Sequence, residues 1–141
     1  MRQAMRNLGL SPDVVLVSTA RRTMETLEAL EPWDETPLID PIDSLYLANV
    51  MQLTAALHGV AETVRSVLLI GHNPGLHDLA LNLVGDRAMR AGGENERALA
   101  SGFPTGALAT LRLDDAPWRD LAPGAAELMS FVRPRDLEQR P

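Results

Sequence analysis

His72 and Arg22 are the two side chains whose positions along this chain suit chemistry on an anion. His72 lies in the run Leu68-Leu69-Ile70-Gly71-His72-Asn73-Pro74-Gly75-Leu76. The apolar run from Ser66 to Ile70 is rich in branched side chains and too short for a helix, the pattern of a buried parallel strand. Gly71 lets the backbone approach a ligand closely. Asn73 suits an N-cap and Pro74 a first helical residue, so a helix is expected to open at once. The histidine then sits between the carboxyl end of a strand and the amino end of a helix. Open α/β sheets bind ligands at such places, and free helix amides favour anions. An ordinary strand-to-helix turn, with a histidine that only fills a hydrogen-bonding role, is the competing reading of this stretch alone.

The arginines occupy a similar position earlier in the chain. Ser11-Pro12-Asp13 turns into Val14-Val15-Leu16-Val17, a second short apolar strand. Ser18 or Thr19 can cap a helix from about Ala20 to Leu30, with Ala20, Met24, Leu27 and Leu30 on one face. Arg21 and Arg22 fall in its first turn, where the helix dipole disfavours cations by roughly 0.3–1 kcal/mol each. A bound anion would reverse that penalty, because arginine and helix amides would act on the same charge. Side chains that swing away to solvent are the alternative. If the two strands are parallel neighbours, Arg22 (with Arg21) and His72 converge on one sheet edge. That suits a phosphoryl group, whose transfer needs positioning and charge stabilisation above all.

The remaining elements must hold those two strand ends in place. Met1 to Leu8 reads as the second half of a helix closed by Gly9. Glu31 to Pro41 is a proline-punctuated connection, and Ile42 to Leu47, with the only tyrosine, Tyr46, is a short extended piece or turn. Ala48 to Leu57 is helical with Val50, Leu53 and Leu57 facing the core. His58, before Gly59, is a surface or capping histidine. The helix after His72 buries Leu76, Leu79, Ala80 and Leu83 and ends at Gly85, with His77 one position off the buried stripe in a peripheral packing role. Asp86 to Gly102 is polar, with weak helical signal in Asn95 to Ala100, and long loops of this kind sometimes form the lid of a site. Ala107 to Leu113 alternates as a half-buried strand. Glu127 to Val132 is a last strand pairing antiparallel with it, before a stop at Pro134.

Composition narrows the class. The 141 residues are 45% hydrophobic and fit one α/β domain spanning 1–141. There is no cysteine, so disulfide and thiolate chemistry are excluded. A net charge of −6 argues against nucleic acid as a partner. No apolar run is long enough to span a bilayer and the amino terminus has no signal-peptide core, so no membrane partner and a cytoplasmic location are expected.

Four blocks carry a family resemblance. Asp13 to Thr26 (D-V-V-L-V-S-T-A-R-R-T-M-E-T) resembles the second block of the histidine phosphatase superfamily, closest to its SixA-type phosphohistidine phosphatases. V-L-L-I-G-H-N-P-G-L at Val67 to Leu76 resembles the later histidine block. F-P-T-G-A-L at Phe103 to Leu108 and F-V-R-P-R-D-L at Phe131 to Leu137 resemble the carboxyl-terminal blocks. The likeness covers essentially the whole chain in the right order. It implies a three-layer α/β/α sandwich with a mostly parallel, phosphoglycerate mutase-like sheet, and phosphate removal through a covalent phosphohistidine without metal or cofactor. By the same resemblance Arg22 matches the arginine of an S-x-x-x-R block and His72 the second histidine, so these two are the expected catalytic residues. Arg22, Arg21, His72 and Asn73 are the expected substrate-binding set. The expected substrate is a phosphorylated protein or a small phosphorylated metabolite.

One block departs from the family. The superfamily nucleophile is the histidine of an R-H-G or R-H-A motif that ends the first strand, and this chain has none. Its only histidines are His58, His72 and His77. The strand that carries the motif would lie mid-sheet, between the strand ending at His72 and that at Ala107 to Leu113. Three expectations follow: the domain is missing its central strand, the chain is inactive as written, and it is a truncated form of a longer protein. The competing expectations are a non-catalytic phosphate-binding module and a fragment to which a partner supplies the strand.

Overall fold

In a computed structural model, which describes residues 1–138, helix α1 (Arg2–Asn7) leads into strand β1 (Val14–Ser18), and all five residues of β1 are buried. The next helix is α2 (Arg21–Ala29), followed by strand β2 (Leu38–Ile42) and a single helical turn at Asp43–Leu45. Then come α3 (Val50–His58), β3 (Val67–Ile70) and α4 (Gly75–Val84). Strand β1 is central to a parallel sheet of order β2-β1-β3, with Val14 opposite both Leu38 and Val67.

Alternation along β1 makes the layers. Val14 and Leu16 pack on Leu53 and Leu57 of α3 and on Leu79 and Leu83 of α4. Val15 and Val17 point to the opposite face and pack on Met5 of α1 and Leu27 of α2. A strand with period-two side chains that are apolar on both faces needs a helical layer on each side, which is why β1 is a continuous valine and leucine run. The result is the α/β/α sandwich with a mostly parallel sheet expected from the sequence.

The second half of the chain adds α5 (Asp86–Ala91), α6 (Glu94–Ser101), β4 (Leu108–Leu113), β5 (Ala126–Val132) and α7 (Pro134–Glu138). Strands β4 and β5 pair antiparallel from Leu108↔Val132 to Leu113↔Ala126, with an irregularity between Thr110 and Leu111. This hairpin is a separate two-stranded sheet: no backbone ladder joins β3 to β4 among the described residues. The two sheets share apolar contacts all the same, because Leu68 and Leu108 pack on one cluster.

Four sequence expectations are corrected here. Leu38–Ile42 is a strand rather than a connection, and Pro41 is tolerated because β2 is an edge strand. Asp86 to Gly102 is not a polar loop: it holds α5 and α6, pinned by Leu99, which is fully buried against Val84, Leu128 and Phe131. The chain does not stop at Pro134, since proline suits a first helical turn and opens α7. Strand β3 is only half-buried up to Ile70, as it pairs with β1 on one side alone. No helix among the described residues is long and apolar enough to cross a membrane.

Candidate active site at the carboxyl edge of the sheet

Ser18 ends β1 and is completely buried. Its Oγ lies 2.9 Å from His72 Nε2, so the imidazole stands directly against the carboxyl end of the neighbouring strand. The parallel register makes this unavoidable: Val17 is opposite Ile70, and each chain leaves the sheet on the same edge. Four residues beyond Ser18, Arg22 lies in the first turn of α2, which contains no acidic residue.

The local turn is tightly tied. Ala20 N–H donates to Ser18 Oγ at 3.3 Å, and the buried Thr23 hydroxyl lies 2.7 Å from the Ser18 carbonyl and 2.8 Å from that of Ala20. Ser18 and Thr19 do not cap α2 as expected. Ala20 takes the N-cap position with no side-chain bond, and the Thr19 hydroxyl donates instead to Asp43 at 2.7 Å. That bond draws the Asp43–Leu45 turn to the strand end. Tyr46, just after it, sets its ring edge-on to His72, with centroids 5.4 Å apart and planes at 77°.

The other expected site residues are placed as follows. Arg22 is exposed, and its guanidinium has no partner among the described residues. Arg21 points along the flank of α2, 93% exposed, and pairs with Glu25 at 3.0 Å. The structure therefore separates the two arginines, one engaged and one available. Asn73 does not cap α4 from the N-cap position, which Pro74 occupies, and the helix starts at Gly75. The Asn73 amide is used at both ends within the protein: Oδ1 accepts from His77 N–H at 3.2 Å and Nδ2 donates to the Phe103 carbonyl at 2.6 Å. This side chain ties the histidine turn to the Phe103 block.

His58 and His77 are structural. The Nε2 of His58 lies 2.8 Å from the Leu121 carbonyl, and that of His77 2.6 Å from the Leu99 carbonyl. Sequence reading missed Ser18 and Tyr46 as neighbours of His72. The signal for Ser18 was a hydroxyl at a strand end, which a helix cap explains equally well. A cavity of about 310 Å³ lined by Arg2, Arg6, Trp33 and Asp34 lies before the start of β1, at the opposite end from these groups.

The fold is a phosphoglycerate mutase-like α/β/α sandwich. No family model matches the chain. It is 32% identical over 126 residues to an uncharacterized protein of Mycobacterium tuberculosis, covering 87% of this chain and 74% of that protein. It is 31% identical over 123 residues to an uncharacterized protein of Mycobacterium leprae, covering 86% and 71%. A candidate phosphohistidine phosphatase SixA from Nakamurella multipartitia superposes with a TM-score of 0.79 at 29% identity, covering 94% of this chain and 77% of that one. A second, from Agrobacterium tumefaciens, gives 0.75 at 28% identity over 94% and 75%. The protein histidine phosphatase SixA complexed with tungstate shares the fold, with a TM-score of 0.71 at 24% identity over 96% and 78%. This chain belongs to the histidine phosphatase superfamily, in its SixA-type branch.

Proposed function

We propose that this chain forms the phosphoryl-binding part of a phosphohistidine phosphatase, with Arg22 and His72 holding the non-bridging oxygens of the substrate. The observation that carries the reading is the 2.9 Å contact between Ser18 and His72, which seats the imidazole on the strand that leads to Arg22. In the reaction a nucleophilic imidazole nitrogen forms a bond to phosphorus while the bond to the leaving group breaks. Water then hydrolyses the phosphohistidine, releasing phosphate and the free imidazole. A cation and a hydrogen-bond donor on the oxygens stabilise the charge that spreads over them in both steps.

None of the three histidines of this chain is that nucleophile in this reading, because His58 and His77 are engaged on carbonyl groups and His72 serves the oxygens. The nucleophile enters with a further strand between β3 and β4, which share no ladder among the described residues. A phosphorylated protein is the substrate class we favour, in line with the names of the solved relatives, and a small phosphorylated metabolite presents the same oxygens.

Two measurements test this. Tungstate or phosphate binding should weaken roughly 10- to 100-fold in R22A and in H72A, given about 1.5–3 kcal/mol for a charged hydrogen bond. Unchanged affinity in both variants would mean that the site is misplaced. The chain alone should not hydrolyse a phosphohistidine protein, and the chain extended by a strand ending in Arg-His-Gly should. The engagement of His58 and His77 on carbonyl groups also favours a second reading, a non-catalytic phosphate-binding module. Turnover by the extended chain separates the two.

A further inference from the structure

We infer that Ser18 is a positioning residue that fixes the tautomer of His72, so that the imidazole meets an oxyanion as a neutral Nδ1–H donor. The inference rests on the reading of His72 as an oxyanion ligand, and its chemistry follows from the hydrogen count at one buried atom. The Ser18 hydroxyl has one hydrogen to donate and two lone pairs to accept with. Ala20 N–H already donates to this oxygen at 3.3 Å. Among the described residues the other group within reach is His72 Nε2 at 2.9 Å. Ser18 has no exposed surface, so water cannot take its hydrogen.

Only one arrangement satisfies the buried Ser18 hydroxyl. If Ser18 O–H donates to Nε2, that nitrogen is an acceptor and the ring proton resides on Nδ1. If Nε2 carried the proton, two N–H groups would point at Oγ and the hydroxyl hydrogen would be buried without an acceptor, which folded proteins avoid. The Thr23 hydroxyl, bonded to the carbonyls of Ser18 and Ala20, holds the turn that aims Oγ at the ring. Nδ1 has no partner among the described residues and is the nitrogen left for a ligand. His72 then needs no positive charge to donate to a phosphoryl oxygen, and the cation is left to Arg22.

The other two histidines supply an internal control. His58 Nε2 and His77 Nε2 both sit on carbonyl oxygens, which can only accept, so both rings must carry Nε2–H. A long-range ¹H–¹⁵N spectrum of the ligand-free protein, taken about two pH units above the ordinary histidine value of ~6.5, reads all three tautomers together. The expected result is two Nε2–H rings and one Nδ1–H ring, with the last assigned to His72 by its loss in H72Q. In S18A the His72 ring should move to Nε2–H while His58 and His77 stay as they were, which also reports that the variant is folded. S18T, which keeps a hydroxyl, should restore Nδ1–H.

His72 in the Nε2–H form in the parent protein, or an unmoved Nδ1–H ring in S18A, would overturn the inference. Tungstate titration of the same samples is a separate readout. If the tautomers are as expected and tungstate shifts the His72 nitrogens, both readings stand. If the tautomers are as expected and saturating tungstate leaves those nitrogens unmoved, the oxyanion role fails and Ser18 only orients a structural ring.

Discussion

Replacing Gly75 by alanine should both destabilise the fold and disturb the ring of His72, because this glycine is where two site loops touch. A Cβ on Gly75 would press into the carbonyl oxygen of Ala48, well inside contact distance, with Ala48 C and Leu53 Cδ1 each 3.2 Å away. Neither neighbour yields cheaply. Ala48 and Leu53 are 4% and 1% exposed. Asn49 between them is locked by reciprocal bonds with Gln52, its side chain accepting from Gln52 N–H and its own N–H donating to Gln52 Oε1, both at 2.9 Å. Overpacking of this kind costs about 1–3 kcal/mol, less a few tenths regained because alanine is the better helix former. For a chain of this size that is roughly 3–10 °C in Tm. If relief comes by retreat of the Ala48 segment, Tyr46 moves off the imidazole two residues upstream, and the ring-current shift it imposes on the His72 protons changes. Thermal unfolding followed by circular dichroism, with one-dimensional spectra of the imidazole protons, measures both. A Tm within 1 °C of the parent together with unmoved His72 protons would refute the reasoning.

Leu99→Ala should cost about 2–5 kcal/mol in chemical denaturation, as expected for a fully buried leucine whose cavity cannot collapse; a loss under 1 kcal/mol would mean that α6 is not part of the core. At the end of β5, Arg133 donates through its backbone N–H and its guanidinium to Asp136, at 2.8, 3.1 and 3.0 Å, and this holds the Asp136 carboxyl below its ordinary value of 3.8. A lowered carboxyl pKa stabilises the fold above the unfolded value and ceases to do so as the pH falls through the folded one. The acid limb of a Tm–pH profile, below the ordinary carboxyl value of 3.8, should therefore be shallower in D136N than in the parent, and parallel profiles would show that the pair contributes nothing.

The elements that sequence reading found are those whose local pattern and final burial agree. Val14 to Val17 is apolar on both faces because helices cover both faces, and Leu108 to Leu113 is the half-buried strand expected, although only Arg112 along it is exposed. What it missed is structure conferred from a distance. Leu38–Ile42 carries two residues that suit a strand and a proline that does not, and it is extended because β1 offers it a ladder. Helix α6 buries one residue, Leu99, so no stripe repeats along it; its start is fixed by Glu96 reaching back to Gly93 N–H at 2.9 Å. The candidate site divides along the same line. Arg22 and His72 were visible because a cation at a helix start and a histidine after a strand are locally costly or locally odd, and such departures ask for a ligand. Ser18 and Tyr46 break no local rule. A serine at a strand end has an adequate partner in the next helix, and nothing nearby says that its partner is an imidazole 54 residues away. Groups that meet a ligand can thus be found by the rules they violate, whereas the groups that aim them obey every rule and emerge only when parallel pairing brings two strand ends together.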